Sequence, residues 1–287
     1  MFILVLLIMV FLVQGVYERH LLGRHLLGGS QQRIGPNKVS FMGLLQPIFD
    51  GVKLIKKEQL VSVHSTGSFF IVIPGITFLV MYLEWFVIGY FYEFFTFCYS
   101  ILMFLCLMGF SVYSFLLSGV VSKSKYGLLG AVRASNQSVS YEIIFSLYML
   151  CIIVFWGSYM FVSCFGFLFV LFFLPFFVVI LAELNRAPFD FSEGESELVS
   201  GYNVEYGECF LCFIMYRGVW YSVVFYYVVF FFVFYYYFFG VLFVFLFVNF
   251  CSYFLSSFSL WYNDSFFLIC NVAFVFFFLL FFVGLVL

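Results

Sequence analysis

The run VWYSVVFYYVVFFFVFYYY, residues 219–237, contains no charged side chain and no proline. A helix of about 20 such residues matches the thickness of a bilayer's hydrocarbon core. The run is not alone. Spans are expected at 1–17, 68–92, 95–120, 143–165, 166–184, 209–237 and 264–287, by the criterion of roughly 18 consecutive apolar residues. Residues 238–262 are also apolar, but Gly240, Asn249 and the serines between Ser252 and Ser259 interrupt them. An eighth span and an interfacial loop both fit there. Inside a bilayer only helices and closed barrels satisfy every backbone polar group, and the period-2 alternation of a barrel is absent. The expected fold is an all-α polytopic membrane protein: a bundle of seven to eight transmembrane helices forming a single membrane domain over 1–287. Composition agrees, because the chain is 66% hydrophobic and only 9% charged, against about 25% charged in soluble domains.

The N-terminal run Met1–Val16 has no basic n-region and no small-residue cleavage site, so it reads as a retained first helix. Cys98, Cys106, Cys151, Cys164, Cys251 and Cys270 are scattered through apolar segments, where a thiol behaves as a small hydrophobe. Cys209 and Cys212 form a C-x-x-C with no second pair and no nearby His, so no metal site is expected. The wealth of Phe, Val, Tyr, Gly and Cys fits an organelle-encoded chain.

Most of the charge lies in three polar segments, 18–67, 121–142 and 185–208. They follow spans one, three and five, so topology places all three on one side of the membrane. The first carries Arg19, Arg24, Arg33, Lys38, Lys53, Lys56 and Lys57; the second carries Lys123, Lys125 and Arg133. Positive-inside bias makes that side the cytoplasm or the mitochondrial matrix. Within the first segment Phe41, Leu44, Leu45, Ile48, Val52 and Ile55 recur at helical spacing, with the lysines pointing elsewhere. That pattern predicts an amphipathic helix in the membrane interface, broken or kinked after Gln46 by Pro47.

The third segment, LAELNRAPFDFSEGESELVSGYNVEYGE (181–208), is acidic. On a helix Glu193 and Glu197, four apart, would share a face, as Glu205 and Glu208 would at three apart. Near a membrane their repulsion is poorly screened and desolvation adds to it, so protonation becomes easier. Acids of this kind leading into a bundle are what a proton path requires. A solvated acidic loop is the plain alternative; the interleaved Phe189, Phe191, Leu198 and Val199 speak against it. In the second segment Arg133 and Glu142 flank Ser135, Asn136, Gln137, Ser138 and Ser140. A polar run beside spans is costly against lipid and belongs in a cavity or at a subunit contact. An Arg, small hydroxyls and Tyr141 at the mouth of an aromatic bundle suit a quinone with an isoprenoid tail. Glu84, inside the second span, is either functional or close to the end of its helix.

LAELNRAPFDFSEGESELVSGYNVEY resembles the signature loop of the subunit 1 family of respiratory NADH:ubiquinone oxidoreductase, complex I. QRIGPNKVSFMGLLQPIFDGVKLIKKE (32–58) and YGLLGAVRASNQSVSYE (126–142) resemble that family's other two matrix-side loops, in the same order. The resemblance covers about residues 15–210, and motifs this long are specific. It implies a core membrane subunit that forms most of the quinone-access tunnel and a glutamate-rich passage coupling quinone reduction to proton translocation. Such a chain takes part in the enzyme without a redox centre of its own. Ubiquinone is the implied substrate, with FMN and iron–sulfur clusters held by partner subunits. Arg33, Phe49, Asp50, Arg133 and Tyr141 become quinone-tunnel candidates. Glu142, Glu183, Arg186, Asp190, Glu193, Glu195, Glu197, Glu205 and Glu208 become proton-path candidates. The implied partners are the quinone-reducing hydrophilic arm, antiporter-like membrane subunits and membrane lipids, with no nucleic acid. The implied location is the mitochondrial inner membrane, or a bacterial plasma membrane as the alternative.

Three departures stand out. IMYRGVW, with Arg217, replaces the family's Glu-Tyr pair, and Gly119-Val120 replaces a Gly-Trp. The family's basic PR-x-R-Y-D motif and last helix are not legible here, so either the C-terminal region has diverged or a separate chain supplies that helix. Two rivals remain at this level: the related subunit of membrane-bound hydrogenases, and an independent secondary transporter. Against the transporter stands the lack of an internal repeat or paired broken helices.

Overall fold

The computed structural model describes residues 21–29, 31–57, 65–87, 98–160, 167–185, 189, 206 and 272–273. Residues 21–29 are helical and run into an irregular loop that ends in a 3-10 turn over Phe41–Gly43. Then come α1 (Gln46–Lys56), α2 (Gly67–Val87), α3 (Ser100–Ser122), α4 (Lys125–Trp156) and α5 (Phe167–Glu183). There is no strand among the described residues. The chain is an all-α polytopic membrane protein, with α2, α3 and α4 each long and apolar enough to cross a bilayer. The expected spans 1–17, 209–237 and 264–287, and the stretch 238–262, lie outside the described residues apart from a helical pair at 272–273.

The break expected after Gln46 falls just before it instead. The chain turns at Phe41–Gly43, and α1 begins at Gln46 with proline in its first turn. There its missing N–H leaves no intrahelical bond unmade. Lys53 and Lys56 fall in the last turn, where the helix dipole favours cations. Pro47 and Gly51 face inward, while Ile48, Val52 and Ile55 are exposed along one side.

The second segment differs from expectation. Residues 121–142 read as a polar connection followed by a span at 143–165, yet the chain is helical from Lys125 to Trp156 without a break. The start is set by Ser124, whose hydroxyl accepts from the Gly127 N–H at 3.1 Å. The end is set by Gly157, which adopts the left-handed conformation at φ 65° and donates its N–H to the Ile153 carbonyl at 2.8 Å. Between them the polar residues do not force a loop, because the helix itself satisfies their hydroxyls. Ser135 donates to the Val132 carbonyl at 3.0 Å and Ser140 to the Gln137 carbonyl at 2.8 Å. Polarity that suggests a connection is here the buried face of a helix: Ser135, Gln137 and Ser138 are all inside.

Consecutive helices pack side by side, α2 on α3, α3 on α4 and α4 on α5. Lipid supplies no hydrophobic drive between apolar helices, so close approach and satisfied polar groups must hold them. α3 provides both. Ser111, Ser114, Ser118 and Ser122 are buried, and each donates to the carbonyl three residues earlier. Gly119 lets α4 come near: a Cβ there would collide with the Ala131 methyl and sit 2.9 Å from the Gly127 carbonyl oxygen. Phe70, Ile73, Phe115, Val121, Ala131 and Ala134 close around that junction. On the outer side of α2, Phe69, Val72, Ile76, Leu79 and Leu83 are exposed at helical spacing, as a lipid-facing stripe requires.

Candidate functional site

The site is assembled where the polar half of α4 meets the end of α5 and the beginning of the acidic segment. Gln137, buried on α4, donates from Nε2 to two carbonyls: Ala182 at 2.9 Å and Phe189 at 2.7 Å. Ala182 belongs to the last turn of α5, and Phe189 precedes Asp190. One amide therefore fixes both the exit of α5 and the entry to the acidic run. Its Oε1 is buried and accepts from no described residue. One turn along α4, Tyr141 places its buried ring edge-on against Phe189, with centroids 5.7 Å apart.

Glu142 follows at once. It is half-buried, and its carboxyl lies against α3 at Gly109, where a Cβ would come within 2.7 Å of Oε1 and 3.6 Å of Cδ. The absent side chain of Gly109 is the space the carboxyl occupies. Glu183, the last residue of α5, is half-buried one residue beyond the carbonyl that Gln137 holds.

The acidic segment is fixed a second time at Tyr206. Its ring stacks on Phe70 of α2 at 4.3 Å, with planes 1° apart, and its hydroxyl donates to the Ser118 carbonyl of α3 at 3.3 Å. Burial pushes the Tyr206 phenol above its ordinary value, so it stays protonated and keeps that donor. Phe189 and Tyr206 are thus two anchors that bracket most of the acids in sequence, both docked on the inner faces of the bundle.

Of the other quinone-tunnel candidates, Arg133 is half-buried on α4 one turn before Gln137, whereas Arg33, Phe49 and Asp50 belong to the exposed first segment. Arg33 donates from Nε to Oε1 of Gln31, two residues before it, at 2.8 Å, and Asp50 pairs with Arg24 at 3.6 Å. Both contacts are solvent-exposed, the class that contributes least to stability. Arg186, Asp190, Glu193, Glu195, Glu197, Glu205 and Glu208 lie outside the described residues, as do Cys209, Cys212 and Arg217. Gly109 and Tyr206 join the site although sequence reasoning singles out neither, and Gln137 gains a role beyond that of one polar residue in a run. For Tyr206 a signal exists, a lone aromatic between Glu205 and Glu208. For Gly109 there is none, since a glycine among apolar residues has many uses.

Comparison with known proteins bears on the same residues. A family profile described as NADH dehydrogenase matches residues 1–286, including the aromatic C-terminal stretch in which no motif is legible. NADH-ubiquinone oxidoreductase chain 1 of Aedes aegypti is 40% identical over 236 residues, covering 77% of this chain and 75% of the relative. The protein of the same name from Mytilus edulis is 44% identical over 206 residues, 69% of this chain and 67% of the relative. That from Anopheles gambiae is 42% identical over 209 residues, 70% of this chain and 67% of the relative. With nearly the whole length matched and three motif-bearing segments in the family's order, the chain belongs to the NADH dehydrogenase family.

Proposed function

We propose that this chain is a core membrane subunit of a proton-pumping NADH:ubiquinone oxidoreductase, seated in the mitochondrial inner membrane. In this reading it lines the quinone-access tunnel with Arg33, Phe49, Asp50, Arg133 and Tyr141. Glu142, Glu183, Arg186, Asp190, Glu193, Glu195, Glu197, Glu205 and Glu208 form the acidic path that couples quinone reduction to proton movement. Ubiquinone is the substrate, and flavin and iron–sulfur clusters sit in the partner subunits that deliver the electrons. Those partners are the quinone-reducing hydrophilic arm and the antiporter-like membrane subunits.

The observation that carries the reading is the double hydrogen bond of Gln137 to Ala182 and Phe189. It supports a coupled site because it ties the segment bearing the acids to the helix bearing Arg133, Tyr141 and Glu142. A displacement at the quinone side of α4 is then felt at the start of the acidic run. Charge arriving on a quinone raises the proton affinity of nearby carboxyls, and a carboxyl held in a half-buried notch, as Glu142 is, responds more strongly than one in water.

A photoreactive quinone analogue tests the tunnel: it should label residues within 33–55 or 126–142, and labelling confined to other subunits would overturn the assignment. Glu195→Gln or Glu197→Gln tests the path. Quinone-linked turnover should fall while NADH oxidation by an artificial acceptor persists; a parallel fall in both would point to failed assembly instead.

A further inference from the structure

Glu84 is a carboxylate that the acidic path leaves unused. It is fully buried, at 0% exposure, three residues before the end of a membrane-spanning helix, α2. Ionisable residues enclosed within a span are rare and usually functional.

The helix register places it. The Thr66 N–H donates to the Val121 carbonyl at 3.4 Å, which sets the start of α2 beside the end of α3. Counting forward from Thr66 and back from Val121 brings Glu84 level with Met103. Glu142 contacts α3 at Gly109, six residues away, or about 9 Å at 1.5 Å per residue. On the other side of Glu142, Gln137 marks the level of Ala182, which puts Glu183 about 9 Å away along the same axis. The three carboxyls are therefore staggered along the bundle in the order Glu183, Glu142, Glu84.

Polar groups accompany them. Thr77, seven residues before Glu84, falls near the level of Glu142, and Tyr148, six after Glu142, falls near the level of Glu84. Both are buried. α3 begins at Ser100, so Glu84 lies only about 5 Å from the end of the bundle opposite the acidic segment.

We propose that Glu84 is a proton-carrying residue that extends the acidic path beyond Glu142 toward the opposite membrane face. The inference rests on the proton-path reading given above. The Glu84 carboxylate accepts one proton from the Glu142 side and releases one proton outward, returning to its starting state with no net change in charge over the cycle. The two residues are offset by about 9 Å along the bundle, beyond the span of one hydrogen bond, and in this proposal water bridges the step during turnover.

Glu84→Gln and Glu84→Asp in the assembled complex, in sealed inner-membrane vesicles, test this. Rates are normalised to NADH oxidation by an artificial acceptor, which counts intact complexes. Glu84→Gln should lower quinone-linked turnover several-fold and reduce protons moved per electron pair, and Glu84→Asp should restore most of both. Wild-type turnover and stoichiometry in Glu84→Gln would overturn the proposal. Should Glu84→Gln fail to assemble, Glu84→Asp must shift a carboxyl band in the redox-induced infrared difference spectrum, and an unshifted spectrum would overturn it equally. Glu142→Gln, measured alongside, separates the two ideas: a normal Glu142→Gln sinks the path itself, whereas a defective Glu142→Gln beside a normal Glu84→Gln sinks only the role of Glu84.

Discussion

Gly109 and Glu142 fit together as notch and occupant: a Cβ on the one would lie 2.7 Å from Oε1 of the other. Because the conflicting atom is the end of a flexible side chain, Gly109→Ala should leave the fold intact and turn the carboxyl aside. A misplacement of about 1 Å at a reacting group can cost up to about a hundredfold in rate. Quinone-linked turnover should drop markedly in Gly109→Ala. In a Glu142→Gln background the same substitution should add nothing, and an additive loss would show that Gly109 acts elsewhere.

Gln137→Leu removes the donor that two buried carbonyls share. Leaving a buried acceptor unsatisfied costs about 1–3 kcal/mol. The assembled complex should melt earlier, and proteolysis within 190–205 should become faster. Unchanged cleavage would mean that Phe189 is held by other contacts.

Tyr206 separates two contributions. Tyr206→Phe keeps the stack on Phe70 and loses only the bond to Ser118, at about 1 kcal/mol. Tyr206→Ala also empties an aromatic site, at about 3–5 kcal/mol. Thermal denaturation of the two variants should rank in that order, and equal losses would assign the whole effect to the hydroxyl.

The same phenol makes stability depend on alkaline pH. Its folded value is raised by burial, while the unfolded chain ionises near pH ~10. Below that point both states hold the proton and nothing is lost. As pH rises beyond it the unfolded state alone releases the proton, so stability falls until the folded value is passed. Tyr206→Phe should remove that share of the decline in a denaturation series, and an identical slope in both proteins would refute the attribution.

Much of the architecture is legible in the sequence because lipid imposes a simple demand on length and polarity. The helix expected at 166–184 is observed as Phe167–Glu183, and the span at 95–120 as Ser100–Ser122. Pro47 marks the start of α1 because proline has few places in a helix. Ser135, Gln137 and Ser138 mislead. Serines that bond to their own helix, and an amide that reaches two distant carbonyls, have the same composition as a loop. Only the tertiary partners distinguish them. Glu142 stands out through its motif, but the glycine that receives it does not, since a space is a property of two helices and not of either sequence.

The uninterrupted length of α4 carries a mechanical consequence. At 32 residues it measures about 48 Å, well beyond the roughly 30 Å hydrocarbon core. It contains no proline or glycine between Gln137 and Trp156. A rod without such a kink site favours carrying a displacement at Phe189, through Gln137, to Glu142 against Gly109.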